Sequence, residues 1–250
     1  MPIIAASFCP HPPLLMPRVA VGARGELDDL RAACGDSVRT MLADVPEEVI
    51  VIGGADRSQL FDTPSDGRLT GYGIDWDVFN APFGEGSSFT FDPDTPLLPL
   101  SLTIGAWLLR RPPREERSAN TGDTSGWSGP VRGVAVGPDG PPPLLIDDSR
   151  RTALLVMGDG SPSRSVKAPG YLDSRAEPFD ASVVAALASG DVARLAALDW
   201  VLGAELGAAG GPAWRLAATL LGAGPWGSTL RYDGAPYGVG YFVADWRLAR

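Results

Sequence analysis

The stretch that most constrains this chain is its first. Pro2-Ile3-Ile4-Ala5-Ala6-Ser7-Phe8, an almost wholly apolar run, leads directly into Cys9-Pro10-His11-Pro12-Pro13-Leu14-Leu15. A short apolar run bounded by turn residues predicts a buried strand. The prolines fix φ and force a stiff turn at its end. His11 is the only histidine in the chain. In open α/β sheets ligands bind at the carboxyl ends of the strands. An imidazole held rigidly there can ligate a metal or move protons, or it can simply be a hydrogen-bonded residue of a tight turn.

Between Glu26 and Leu42 the apolar residues Leu27, Leu30, Ala33, Cys34, Val38, Met41 and Leu42 recur at helical spacing. After the break at Pro46, Glu48-Val49-Ile50-Val51-Ile52 is a second short apolar run, ending in Gly53-Gly54. Strand, helix, strand in this order is a βαβ unit and predicts a parallel sheet. The second strand runs into Gly54-Ala55-Asp56-Arg57, so Asp56 is expected on the same side of the sheet as His11. Thr152-Ala153-Leu154-Leu155-Val156-Met157 reads as a third buried strand, ending in Gly158-Asp159-Gly160-Ser161-Pro162-Ser163-Arg164. Val131–Val136 is predicted as another strand. The segments near residues 61–96 and 110–129, rich in Gly, Pro, Asp and Ser, are expected to be irregular insertions. Helices are expected over 101–109, from Glu177 to about Leu187, over 195–206 and over 213–221. A closing strand pair, 228–232 and 238–245, is expected to turn at Asp233-Gly234. The expected fold is therefore α/β: a single domain with a mostly parallel central sheet and helices on both faces.

The loop after the third strand is glycine-rich but lacks the spacing of a phosphate-binding motif. Ser161 does not lie in a nucleophile elbow, and the one histidine leaves no obvious base for it, which argues against a serine hydrolase. Asp159, Ser161 and Arg164 are its candidate substrate-binding residues. Arg164 can hold an anion in a two-pronged contact, or pair with Asp159 as an ordinary surface residue. Cys9 can be a soft metal ligand or a buried structural thiol.

Composition narrows the partners. The net charge of −9 disfavours nucleic acid and anionic membranes. No apolar run approaches the roughly eighteen residues that a membrane span takes, and no basic flank of a signal peptide precedes the first strand. Two cysteines suit a reducing, cytoplasmic setting better than a disulfide framework. The partner expected is a small molecule, with a homo-oligomer a further option.

Taken together, the residues resemble a family. Cys9-Pro10-His11-Pro12-Pro13-Leu14-Leu15 is similar to the first metal-ligand motif of the B subunit of class III extradiol ring-cleavage dioxygenases. Glu48 to Arg57 falls where that family has its second strand and second ligand histidine. Gly158 to Ser165, with Ala176-Glu177-Pro178-Phe179-Asp180, resembles its late loop and the following helix. The likeness spans most of the chain and is nearest to a B-like branch with a depleted metal site. It implies an Fe(II)-dependent oxygenase that opens an aromatic diol, or a non-catalytic relative that keeps the fold and binds a small molecule or a partner. It further implies a metal set of His11, Asp56 and Asp233, with Asp56 standing where the second histidine would be. Arg164 stands at the place of the acid/base histidine, which makes His11 and Arg164 the implied catalytic pair.

Overall fold

The apolar runs form the middle of one sheet. The computed structural model describes residues 3–19, 21–63, 65–74, 96–110 and 126–249. Its strands are β1 (Ile3–Cys9), β2 (Glu48–Gly54), β3 (Gln59–Phe61), β4 (Val131–Val136), β5 (Thr152–Met157), β6 (Trp226–Gly234) and β7 (Tyr241–Leu248). The helices are α1 (Asp28–Leu42), α2 (Leu100–Leu109), α3 (Ala176–Ser189), α4 (Val192–Ala196), α5 (Trp200–Glu205) and α6 (Gly211–Leu221). They make a single α/β domain around a seven-stranded mixed sheet of order β3-β4-β2-β5-β1-β7-β6. The central four strands β4, β2, β5 and β1 are mutually parallel, while β3 at one edge and β7 and β6 at the other run antiparallel. No helix among the described residues is long and apolar enough to cross a membrane.

Burial follows the two-residue period of a strand. In β5, Ala153, Leu155 and Met157 join one apolar cluster with Leu30, Cys34, Val38 and Met41 of α1 and Leu102 and Ala106 of α2. Leu154 and Val156 join a second cluster with Val183 and Leu187 of α3 and Trp214 and Ala217 of α6. All six β5 residues are buried, as a strand paired on both sides requires.

Register sets the strand ends. Cys9 of β1 and Gly53 of β2 both pair with Met157 of β5, so the three strands finish level. Beyond Cys9 the chain leads to α1, whose residues pack in the first cluster. Beyond Met157 it leads to α3, whose residues pack in the second. Adjacent parallel strands whose connections diverge in this way leave a crevice at their carboxyl ends.

Three expectations need correction. Residues 195–206 are two short helices, because Asp199 caps a new start by accepting the Leu202 amide at 3.0 Å. Gln59–Phe61 pairs with β4 as a short edge strand at the border of the segment expected to be irregular. Asp233-Gly234 is not the turn: β6 continues through Gly234, and the chain reverses over 235–240, where Tyr237 adopts φ +60°. Residues 75–95 and 111–125, most of the two expected insertions, lie outside the described residues.

Candidate functional site

The turn after β1 is held from below. The Leu15 amide bonds to the Pro12 carbonyl and the Met16 amide to the Pro13 carbonyl, each at 3.0 Å, and both side chains are fully buried. Arg31, on the buried side of α1, donates from Nε to the Leu15 carbonyl at 2.7 Å and from Nη2 to the Leu14 carbonyl at 3.1 Å. It also pairs with Asp28 at 2.8 Å. A charge almost out of solvent is tolerated when it is paired and hydrogen-bonded.

Above that base, His11 meets Asp159. The His11 amide donates to Asp159 Oδ1 at 2.7 Å, and His11 Nδ1 lies 3.5 Å from the same oxygen. The His11 side chain is 11% exposed, and Nδ1 is buried without a hydrogen-bond partner among the described residues. The two strand ends are tied by the Gly158 amide on the Cys9 carbonyl, and the Gly210 amide binds the Asp159 carbonyl. Burial pushes the Asp159 carboxyl above its usual range, opposed by His11. Tyr241, buried at the start of β7, has its phenol pushed up by burial and by the Asp159 charge. Beneath the pair, Cys9 and Cys34 are buried, unbridged thiols, and burial beside Cys9 pushes the Cys34 thiol well up.

Arg164 and Ser161 are placed differently. Arg164 does not pair with Asp159; its guanidinium bonds to Asp180 at 3.1 Å and to Glu177 at 3.2 Å, both on α3. Ser161 is fully buried, its amide donating to Asp180 Oδ1 at 2.9 Å and its hydroxyl to the Leu206 carbonyl at 3.3 Å. Both residues shape the loop after β5. That loop is zipped to the 238–240 turn by the Gly160, Gly240 and Arg164 amides on the Gly240, Ser161 and Gly238 carbonyls.

No protein-family model matches the chain, and no curated protein is found to be similar to it.

Asp56 is exposed just past β2, and Asp233 is exposed on the edge strand β6, opposite Phe242. Among the described residues no three His, Cys, Asp or Glu side chains gather closely enough to hold a metal ion. Of the residues proposed from sequence, the fold thus brings His11 and Asp159 into contact and ties Ser161 and Arg164 to α3. Arg31 and Asp180 were not foreseen. Asp180 had left a signal, because it interrupts the apolar stripe Ala176, Phe179, Val183, Leu187.

The raised Asp159 carboxyl makes a pH prediction. Between the ordinary aspartate range near about 3.9 and its higher native value, the folded state holds a proton that the unfolded chain has lost. Stability therefore falls as pH rises through that window. Denaturation midpoints of wild type and Asp159→Asn across acid to neutral pH are expected to diverge, the wild type losing ground as pH rises. Parallel curves would contradict the assignment.

Proposed function

We propose that this chain is a class III extradiol dioxygenase B-like protein whose crevice at the ends of β1 and β5 binds a small phenolic molecule at His11. One observation carries this reading: the one histidine is tied through its backbone amide to a carboxylate from the neighbouring strand end, and its buried Nδ1, 3.5 Å from that carboxylate, makes no hydrogen bond among the described residues. Orphaned buried polar atoms are rare and call for an occupant or a role. With Asp159 beside one edge of the ring, the imidazole is oriented to exchange a proton with a bound hydroxyl. Tyr241 and the glycine backbone of 158–160 line the same end of the sheet.

The residues do not fit the iron centre of the resembled family. That centre takes two imidazoles and a carboxylate, and this chain has one histidine. Asp56 stands exposed in the loop past β2, and Asp233 stands exposed on the edge strand β6. We therefore favour the small-molecule-binding relative. The Fe(II)-dependent ring-opening oxygenase is the second reading, supported by the stiff His11 turn that Arg31 holds in place. Helices on both faces of the sheet accord with the alternation of β5 residues between two clusters. Two buried unbridged thiols suit a cytoplasmic setting.

Because the chain has one histidine, its imidazole carbon-bound protons give a single NMR signature. Catechol is expected to shift those resonances saturably, and Asp159→Asn to weaken the response. Resonances that stay fixed at millimolar catechol would overturn the binding reading. In parallel, protein loaded anaerobically with Fe(II) and then aerated with catechol tests the oxygenase reading. Yellow ring-fission product that His11→Ala abolishes would establish it; a colourless mixture would leave the binding protein.

A further inference from the structure

We propose that the groove between the loops after β2 and β4 and the helices α4 to α6 is a second small-molecule site, one that takes a planar aromatic carboxylate. The groove has a volume of about 720 Å³, within the range of roughly 300–1,000 Å³ usual for ligand sites. It is separate from the His11 crevice: Ala55, Val136 and Gly137 form one wall, and neither His11 nor Asp159 lines it.

Its chemistry is selective. Pro138, Pro141, Pro212 and Trp200 supply rigid apolar walls, and among the described residues Arg215 is the only charged one that lines it. Pro212, Arg215, Leu216 and Thr219 recur at helical spacing and bring one face of α6 to the groove. Trp200 is held by its Nε1 bond to the Ala196 carbonyl and lies against Gly211, with Trp214 behind it at 6.2 Å. Its half-exposed indole is thus a fixed stacking surface. Among the described residues Arg215 has no side-chain hydrogen bond or ion pair, although the chain carries nine net negative charges. The nearby carboxylates of Asp191 and Asp199 are turned to the amides of Arg194 and Leu202. Asp139, between two lining residues, does not itself line the groove. A guanidinium and an indole lining one groove match a carboxylate on an aromatic ring, through one charge-assisted contact and one stacked face.

The test is titration calorimetry with naphthalene-2-carboxylate and its neutral amide, naphthalene-2-carboxamide. The carboxylate is expected to bind one per chain, and the amide about tenfold more weakly, the scale of one charge-assisted contact. Arg215→Gln, at an exposed position, is expected to weaken the carboxylate about tenfold and leave the amide unchanged. His11→Ala is expected to alter neither, which separates this site from the crevice. Absence of binding at millimolar carboxylate, or equal affinity for wild type and Arg215→Gln, would overturn the assignment. So would a dependence on His11, which would put the naphthalene ring in the crevice. A concentration-dependent rise in mass that the carboxylate does not reverse would show the groove covered by a second copy, and would also overturn it.

Discussion

Replacing Asp180 by alanine is expected to destabilise the fold by about 3 kcal/mol, the low end of what breaking a buried ion pair costs. Asp180 is wholly inaccessible to solvent, and one carboxylate serves two donors: the Ser161 amide at 2.9 Å and Arg164 at 3.1 Å. Among the described residues, losing it leaves the Ser161 amide a buried donor with no acceptor, and leaves the Arg164 guanidinium only its contact with Glu177, whose side chain is largely exposed. The low end applies because the Arg164 side chain is 19% exposed, so water recovers part of the loss. Gly160 and Gly240 sharpen the dependence. A Cβ at Gly160 would stand 2.7 Å from the Phe242 ring and 2.8 Å from Asp180 Oδ1, and one at Gly240 would collide with Oδ2, so both glycines fit closely around this carboxylate and the Phe242 ring. Asp180→Asn keeps an acceptor for the Ser161 amide, and burial already pushes the carboxyl toward its neutral form. The asparagine variant should therefore lose about 1 kcal/mol, one ordinary hydrogen bond's worth. Urea denaturation separates the two. An alanine variant within 1 kcal/mol of wild type would mean that the loop after β5 is held by its zipper to the 238–240 turn alone.

That network shows which parts of the site could be read from the chain. His11 and Asp159 were both legible because each directly follows a strong apolar run, and parallel strands in register deliver their ends to one edge. The strands Val131–Val136 and Thr152–Met157 were legible to the residue, since each is a short, mainly apolar run bounded by turn residues. Arg164 was not legible. Its local sequence offers Asp159 as a partner, whereas the actual partner comes from a helix that begins twelve residues later, and only packing of that helix decides the choice. Arg31 was hidden for a related reason: it sits among charged neighbours at the start of α1, but its donors are drawn to the carbonyls of a turn that local pattern cannot place. Residues 195–206 deceived by composition. Alanine and leucine keep helical spacing across Leu198-Asp199, yet a capping aspartate restarts the helix there. The edge strand Gln59–Phe61 is too short to carry a period.

Gly158→Ala is expected to cost about 3 kcal/mol and to disturb the His11–Asp159 pair with it. Gly158 is where β5, the Asp159 loop and the start of α6 converge. A Cβ there would stand 2.6 Å from Gly210 Cα and 2.8 Å from the Trp214 ring. Neither can yield: Gly210 is backbone, and Trp214 is 1% exposed with Phe242 packed 6.4 Å away. Relief would need the start of α6 to move, and that would stretch the bond from the Gly210 amide to the Asp159 carbonyl, now 2.8 Å. Overpacking of a closed core costs about 1–3 kcal/mol, and backbone on one side with a buried ring on the other puts this site at the top of that range. The control is Gly35→Ala in the interior of α1, where nothing lies within 4 Å of an added Cβ. There the change should stabilise by about 0.5–1 kcal/mol through reduced chain entropy. Denaturation midpoints give the energies, and the lone imidazole's NMR resonances report the site. A Gly158→Ala protein of wild-type stability with unmoved His11 resonances would show that α6 can shift without carrying Asp159, and the crevice would then owe its shape to β1 and β5 alone.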